Sequence, residues 1–203
     1  DGKVYLDDDG VRHDSNLAGL AKLKPFFDRS YGKITPGNSS QITDGAAWLL
    51  LASAAAVEKY KLQPIGRITD TQWAGLDPAQ MGLGPVHAAT PILQRHGLGL
   101  NDLDYWEINE AFAAQVMGCV KAWEDPAYCK EQLGLAAPLG TLDAAKLNVD
   151  GGAIALGHPV GATGARILAT AAYEARRRNG RYGLETMCIG GGQGLAAVFE
   201  ALR

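Results

Sequence analysis

This chain of 203 residues contains few cysteines, no long hydrophobic run and no large excess of either charge. Its three cysteines, Cys119, Cys129 and Cys188, are irregularly spaced and include no CxxC pair, which predicts neither a disulfide framework nor a zinc site. No metal is therefore expected. Free thiols favour a reducing compartment, either the cytoplasm of a bacterium or the lumen of an organelle with reducing conditions.

The charges are almost balanced, with 19 lysines and arginines against 22 aspartates and glutamates, and both signs are interspersed. No basic stripe suggests contact with nucleic acid, and no polybasic segment suggests an anionic membrane. The longest apolar stretch, residues 45–57, is shorter than the roughly 20 residues that span a bilayer. We therefore expect neither nucleic acid nor a membrane span, and small molecules are the favoured partners.

Hydrophobic residues make up 47% of the chain, which is enough for a buried core. Short apolar runs predict strands at residues 44–52, 65–72, 103–108, 183–189 and 195–202. Caps, stop residues and helical spacing predict helices at residues 16–22, 53–60, 85–95, 110–123 and 161–178. The alternation implies a layered α/β domain, preceded by a loop-rich segment and interrupted by an insertion at residues 124–142.

Two glycine-rich segments carry the side chains best suited to chemistry. Residues 151–166 place His158 just before a predicted helix, and residues 188–194 place Cys188 at the start of a glycine loop. Glycine lets the backbone approach a ligand closely and leaves N–H groups free to face negative charge, while histidine and cysteine move protons near neutral pH. The combination indicates acyl chemistry.

Asn109 is the third candidate, at a junction between a predicted strand and a predicted helix. Taken singly, His158 is more often structural, Cys188 a buried small hydrophobe and Asn109 a helix N-cap. All three lie at the ends of predicted strands or in the loops just after them, and in α/β sheets such loops gather at one edge, so we expect one cleft. The helix start near His158 predicts a neutral imidazole, and free amides in the glycine loop predict a lowered pKa for Cys188.

Four segments, in order, resemble the signatures of the thiolase family: residues 34–47, 109–113 (NEAFA), 151–166 (with Gly-His-Pro) and 188–194 (CIGGGQG). The resemblance is to the C-terminal half of a thiolase, including the end of its loop domain. It divides the chain into residues 1–42, the tail of the loop domain and a connecting segment, and residues 43–203, the C-terminal thiolase domain. It implies a thiolase-like layered α/β fold, with a mixed five-stranded sheet covered by helices on both faces.

The resemblance implies an acyltransferase. Such an enzyme cleaves a 3-oxoacyl-CoA with coenzyme A, or condenses acyl-CoA with acetyl-CoA in the reverse Claisen reaction, through an acyl-enzyme. In the family the acylated cysteine lies in the N-terminal half, and neither Cys119 nor Cys129 has a matching context. We therefore expect the N-terminal half, cleaved or as a separate chain, as a partner, and the assembled enzyme as a homo-oligomer, dimeric or tetrameric. Coenzyme A and acyl-CoA are substrates, and no tightly bound cofactor is implied.

The same resemblance implies roles for individual residues. His158 activates the nucleophile and points a ring N–H at the thioester oxygen, while Asn109 holds a water that completes this first oxyanion site. Cys188 is the second acid/base. The backbone N–H of Gly190 forms half of a second oxyanion hole, and one such donor is worth about 3 kcal/mol. Substrate contacts are implied for three further residues: Ser40 on the pantetheine arm, and Met81 and Phe112 in the pocket wall.

Three other interpretations remain at this point. A condensing enzyme that uses carrier-protein substrates shares the fold, but many such enzymes carry a second histidine where this chain has Cys188. A non-catalytic subunit that binds coenzyme A or serves as a scaffold is argued against by the joint retention of Asn109, His158 and Cys188. A nucleotide-binding module lacks support, because no GxxxxGK[ST] motif is present. The insertion at residues 124–142 favours a degradative enzyme of fatty acid metabolism over a biosynthetic one.

Overall fold

Four strands form a mixed sheet in the computed structural model, which describes residues 2–202. In chain order the strands are β1 (Gly66–Gly75), β2 (Tyr105–Ile108), β3 (Tyr182–Ile189) and β4 (Gln193–Ala201). Their order across the sheet is β1-β4-β3-β2. Strand β4 pairs antiparallel with both β1 and β3, whereas β3 and β2 are parallel.

Helices precede β1 and fill the connections from β1 to β2 and from β2 to β3. They are α1 (Leu17–Leu20), α2 (Ala54–Tyr60), α3 (Gly84–His96), α4 (Ala113–Glu124), α5 (Pro126–Leu133), α6 (Ala153–Leu156) and α7 (Val160–Arg177). Short 3₁₀ helices lie at Pro36–Asn38, Pro78–Leu83, Leu100–Asp102 and Ala144–Lys146. The side chains of Asn16 and Ser53 cap α1 and α2, and Gly97, with a φ of 63°, ends α3 as the sequence predicts. No described helix combines the length and the apolar character needed to cross a membrane.

Helices cover both faces of the sheet. Side chains alternate along each strand, so each strand contributes to a core on either face. On β4, Ala196 and Val198 belong to the larger core with α3 and α4, while Phe199 and Ala201 belong to a second core with α7. Trp106 of β2 packs on Trp123 of α4 with ring centroids 5.3 Å apart. The α/β fold class with a mixed sheet between helical layers is confirmed.

The predicted strand at residues 44–52 does not form, so the sheet has four strands in the described residues instead of the five expected. This segment is irregular, and the side chains of Trp48 and Leu50 are 93% and 84% exposed. A continuous apolar run forms a strand only when another strand hydrogen-bonds to it, and no described strand lies beside this one. Next to β2, a single parallel bridge between Trp106 and Leu147 occupies the place of a fifth strand.

The predicted start of one helix also needs correction. Helix α4 begins at Ala113 instead of Glu110, because the preceding residues pair with another segment: Ser39 bridges Phe112, and the N–H of Ser40 donates to the carbonyl of Ala111 at 3.0 Å. The insertion at residues 124–142 contains the regular helix α5, capped by Asp125, so it packs against the core as an ordered element.

Two carboxyl groups are buried side by side under α7. Glu107 of β2 and Glu185 of β3 are register partners, and they are 1% and 9% exposed. Burial raises the pKa of Glu185 to about 8, with the facing Glu107 as the second cause. Burial also raises the pKa of Glu107 to about 7, although a hydrogen bond from the Tyr105 hydroxyl opposes the rise. The buried guanidinium of Arg166 lowers both values without a hydrogen bond to either carboxyl.

Candidate active site

Asn109 and Cys188 lie at the same end of the sheet, because they occupy the carboxyl ends of two parallel neighbouring strands. Asn109 directly follows β2, and its N–H donates to the carbonyl of Thr186 on β3 at 2.9 Å. Cys188 is two residues further along β3 and is 8% exposed. The parallel pairing therefore sets these two candidates on one edge.

His158 reaches Asn109 from the loop between α6 and α7. The side-chain nitrogen Nδ2 of Asn109 is 3.3 Å from Nε2 of His158. Asn109 is 1% exposed, and its Oδ1 is buried and accepts no hydrogen bond within the described part of the chain. An amide oxygen can only accept hydrogen bonds. The structure thus joins two of the candidates by direct contact, across 49 positions of sequence.

The backbone at His158 is held against residues 42 and 43. Ile42 bridges His158, and the N–H of His158 donates to Oγ1 of Thr43 at 3.2 Å. Gly157 makes this approach possible, since its φ is 94° and a Cβ there would lie 2.8 Å from the Thr43 side chain. The glycine of the Gly-His-Pro segment therefore sets the position of the imidazole.

The other ring nitrogen of His158 meets α7. Nδ1 lies 2.7 Å from Oγ1 of Thr163, and that hydroxyl also lies 3.0 Å from the carbonyl oxygen of Pro159. Thr163 is completely buried. Burial lowers the pKa of His158, and the positive charge of Arg166 lowers it further, so the ring is neutral at pH 7. The neutral form is the one expected from the sequence, although burial, which that expectation did not include, is the larger cause.

The predicted lowered pKa of Cys188 is wrong. Burial raises the pKa of this thiol, and a backbone hydrogen bond offsets only part of the rise. The sequence showed the amides of the glycine loop but not the depth at which the sulfur would lie, and desolvation of a thiolate outweighs one amide contact. Cys188 is therefore a protonated thiol at neutral pH in this structure. Cys119, which lies on α4, is fully buried, and burial raises its pKa to about 12.

The turn between β3 and β4 presents open backbone next to Cys188. Gly191 and Gly192 have φ values of 89° and 83°, and a Cβ on Gly192 would lie 2.3 Å from the carbonyl oxygen of Leu76. Apart from Gly190 and its two chain neighbours, the described residues have no atom within 4 Å of the position that a Cβ on Gly190 would take. The space in front of Gly190 is therefore free for a ligand, while Gly192 is packed tightly on the segment before α3.

The three predicted substrate contacts lie on three segments, two of which pair with each other. Ser40 and Phe112 are on paired segments, as the bridge between Ser39 and Phe112 shows. Phe112 also has an edge-on contact with Phe27, with centroids 6.2 Å apart. Met81 is elsewhere, in the 3₁₀ helix Pro78–Leu83, which packs on α4. All three side chains are partly buried.

Two residues that the sequence did not single out fix the surroundings of Asn109. Asn148, with a φ of 46°, accepts a hydrogen bond from the N–H of Ile108 at 2.8 Å and donates to the carbonyl of Ile108 at 2.9 Å. It also donates to Glu110 at 2.9 Å, and Glu110 accepts from the N–H of Ile154 at 3.3 Å. Asn109 is thus flanked by two anchored neighbours. The sequence signal for Asn148 is that asparagine tolerates the left-handed conformation.

A cleft of about 400 Å³ opens beside this group of residues. It is lined by residues 43–48 on one side and by residues 159–162 on the other. None of the candidate side chains lines it, although His158 directly precedes one wall. The cleft therefore lies next to the edge that carries Asn109, His158 and Cys188, without including their side chains.

Comparison with known proteins gives two family matches. The family model described as "Thiolase, C-terminal domain" matches residues 62–201, and the one described as "Thiolase, N-terminal domain" matches residues 1–55. The chain is 45% identical over 202 residues to the beta-ketothiolase BktB of Cupriavidus necator, covering 99% of this chain and 47% of that protein. It is 47% identical over 195 residues to the peroxisomal 3-ketoacyl-CoA thiolase 1 of Arabidopsis thaliana, covering 95% and 40%.

Solved structures agree with these matches. The human mitochondrial 3-ketoacyl-CoA thiolase in complex with CoA superposes with a TM-score of 0.76 at 39% identity, covering 95% of this chain and 44% of that one. The acetyl-CoA acetyltransferase of Bacillus anthracis gives a TM-score of 0.79 at 40% identity, covering 94% and 44%. The chain thus spans about half the length of the relatives it matches.

Proposed function

We propose, from the premise that this chain belongs to the thiolase family, that the protein is an acyltransferase that cleaves 3-oxoacyl-CoA with coenzyme A. The contact between Asn109 and the neutral imidazole of His158, at the strand edge that also carries Cys188, is the observation on which this proposal depends. It combines an available base, an amide donor and a protonated thiol, which are the groups that thioester chemistry needs.

The acylated cysteine is proposed to lie outside these 203 residues, on the part of the relatives that this chain does not cover. Cys119 and Cys129 are fully buried, and the thiol of Cys119 donates to the carbonyl of Gly82, so neither is placed to attack a substrate. We propose that residues 1–42 are the tail of a loop domain and that residues 43–203 are the domain carrying the acid/base groups. The N-terminal half is then the partner, and the assembled enzyme is a homo-oligomer.

His158 is the proposed base for that cysteine. Its Nε2 takes the thiol proton, and the thiolate attacks the 3-oxo carbon of the substrate. The protonated ring then donates the same N–H to the oxyanion that forms, together with a water held by the free Oδ1 of Asn109. A base with a pKa below its usual value is neutral at physiological pH and can accept the proton.

Cys188 is the proposed acid for the second part of the step. When the bond between carbons 2 and 3 breaks, its electron pair forms the enolate of acetyl-CoA, which takes the proton of the Cys188 thiol. The backbone N–H of Gly190, in open space beside this thiol, stabilises the enolate oxygen. The Cys188 thiolate takes the thiol proton of coenzyme A as that thiol attacks the acyl-enzyme. The nucleophilic cysteine leaves as a thiolate and regains its proton from His158. Because burial raises the pKa of Cys188, the thiol is protonated before the reaction, which is the form that this proton transfer requires.

Substrate contacts are proposed for Ser40 on the pantetheine arm and for Met81 and Phe112 on the pocket wall. Coenzyme A and acyl-CoA are substrates, and no tightly bound cofactor is proposed. A reducing compartment, cytoplasmic or in an organelle, suits the three free thiols.

The test separates the two half-reactions in the chain assembled with the polypeptide that bears the nucleophile. His158→Ala is expected to abolish acyl-enzyme formation from acetyl-CoA, measured by mass spectrometry of the intact protein. Cys188→Ala is expected to retain acylation but to lose cleavage of acetoacetyl-CoA, measured by the absorbance of its enolate. His13→Ala, at an exposed histidine, is the control and should change neither.

Equal loss of both half-reactions in the Cys188→Ala variant would contradict the separation of roles. Binding of coenzyme A by the assembled wild-type protein, without either half-reaction, would instead indicate a non-catalytic coenzyme A-binding subunit. Comparison of acetoacetyl-CoA with a longer 3-oxoacyl-CoA in the same assay measures the preference for chain length.

A further inference from the structure

Thr163 contacts only one of the two nitrogens of His158, and the geometry there decides where the ring carries its proton. The hydroxyl of Thr163 is 2.7 Å from Nδ1 of His158 and 3.0 Å from the carbonyl oxygen of Pro159. A carbonyl oxygen can only accept, so the hydroxyl proton points at Pro159. The lone pairs of the same oxygen then face Nδ1, which must be the donor.

The opposite side of the ring leads to the same proton placement. Nε2 of His158 lies 3.3 Å from Nδ2 of Asn109, and an amide nitrogen can only donate. Nε2 is therefore the acceptor. A neutral imidazole carries one proton, so both neighbours of His158 require the tautomer that is protonated at Nδ1 and free at Nε2.

The position of Thr163 on α7 explains why a threonine suits this contact. In helices threonine adopts a rotamer in which its hydroxyl bonds the carbonyl four residues earlier, and Pro159 is that residue. The back-bond and the complete burial of Thr163 fix the side chain before any substrate binds. The acceptor for Nδ1 is thus preorganised by the first turn of α7.

We propose that Thr163 is a positioning residue that holds His158 in the Nδ1-protonated tautomer and so keeps Nε2 free to take the proton of the nucleophile. Nδ1 stays a donor when the ring becomes charged, so Thr163 serves both protonation states without moving. Removal of the partners that orient metal-binding histidines changes affinity or activity by about 10- to 100-fold, and we expect an effect of this order here. The role in acyl transfer rests on the proposed function, whereas the tautomer is a property of the chain itself.

The experiment compares wild type with Thr163→Val, which has the same shape without the hydroxyl, and Thr163→Ser, which keeps the hydroxyl. Nitrogen NMR of histidine-labelled protein should show Nδ1 of His158 protonated and Nε2 unprotonated in wild type and in Thr163→Ser. Thr163→Val should shift the population towards the other tautomer. In the assembled enzyme, Thr163→Val should slow acylation about 10- to 100-fold, and Thr163→Ser should restore most of the rate.

The pH profile gives a second measurement that a purely structural role would not move. An acceptor at Nδ1 stabilises the charged ring, so its removal in Thr163→Val should shift the acid limb of kcat/KM to lower pH. A wild-type ring protonated at Nε2, or an unchanged tautomer in Thr163→Val, would overturn the proposal. The expected tautomers together with an assembled protein that shows no acylation would refute the proposed function and leave the positioning of His158 intact.

Discussion

The buried carboxyl pair beneath α7 should make the stability of this protein fall as the pH rises. Glu185 faces Glu107 across β3 and β2, and burial with that like charge raises its pKa from 4.5 to about 8. The folded chain therefore holds a proton that the unfolded chain has released between pH 4.5 and pH 8. A group with a raised folded pKa contributes stability at low pH, which is lost as the pH rises through that window.

The perturbation is Glu185→Gln, which keeps the shape of the side chain and removes its titration. With about 1.4 kcal/mol per pH unit, the pKa of about 8 against 4.5 predicts that wild type loses about 4 kcal/mol relative to the variant between pH 5 and pH 9. In a chain of this size that difference corresponds to a shift of about 10 °C in melting temperature. The variant should therefore be close to wild type at pH 5 and clearly more stable at pH 9.

Urea unfolding followed by circular dichroism, repeated at half-unit steps from pH 5 to pH 9, measures this difference directly. Glu131→Gln, at an exposed position on α5, is the matched control and should track wild type throughout. A difference between Glu185→Gln and wild type that stays constant over the whole range would refute the reasoning. It would mean that the positive charge of Arg166 keeps Glu185 ionised and compensates for the cost of burying its carboxylate.

Two further predictions concern the glycine turn and its thiol. Alkylation of Cys188 by iodoacetamide should be slow at pH 7 and accelerate about tenfold per pH unit, since only the thiolate reacts and burial raises the thiol pKa. Peptide mass spectrometry measures the rate, with fully buried Cys119 as an unreactive control, and equal rates at pH 7 and pH 9 would argue for a resting thiolate. Gly192→Ala should destabilise the fold by about 1 to 3 kcal/mol because its φ is 83° and its Cβ meets Leu76. Gly190→Ala, in the same turn, should not, because its added Cβ would meet no atom of the described residues within 4 Å beyond its chain neighbours. Similar melting temperatures for both variants would contradict this account.

The elements with strong local signals could be predicted from the sequence. Strands β3 and β4 flank a run of glycines, and the apolar face of α7, including Ile167 and Ala171, is buried as its spacing indicates. The caps at Asn16 and Ser53 are side-chain contacts over three residues, which a local pattern can show. Helix α5 could have been predicted too, since Asp125 and the following proline form a recognisable helix start.

What could not be predicted depends on contacts between distant parts of the chain. The apolar run at residues 44–52 reads as a strand, but strand formation requires a neighbour that no local pattern reveals. The pKa of Cys188 depends on how deeply the sulfur is buried, which only the packed structure determines. Thr163 and Asn148 are ordinary residues in their segments. Thr163 is important because it hydrogen-bonds to His158. Asn148 is important because it makes two hydrogen bonds to Ile108 at the end of β2 and one to Glu110 in the loop that follows.

The hold of Thr43 and Ile42 on His158 has a practical consequence for anyone who divides this chain into pieces. The first family match ends at residue 55 and the second begins at residue 62, which suggests a domain boundary between these two positions. Thr43 lies on the near side of that border and His158 on the far side. A fragment that begins at residue 62 would retain His158 and Cys188. It would lack Thr43 and Ile42, which anchor the main chain at His158. The domain boundary indicated by sequence similarity thus separates His158 from the residues that hold it in position.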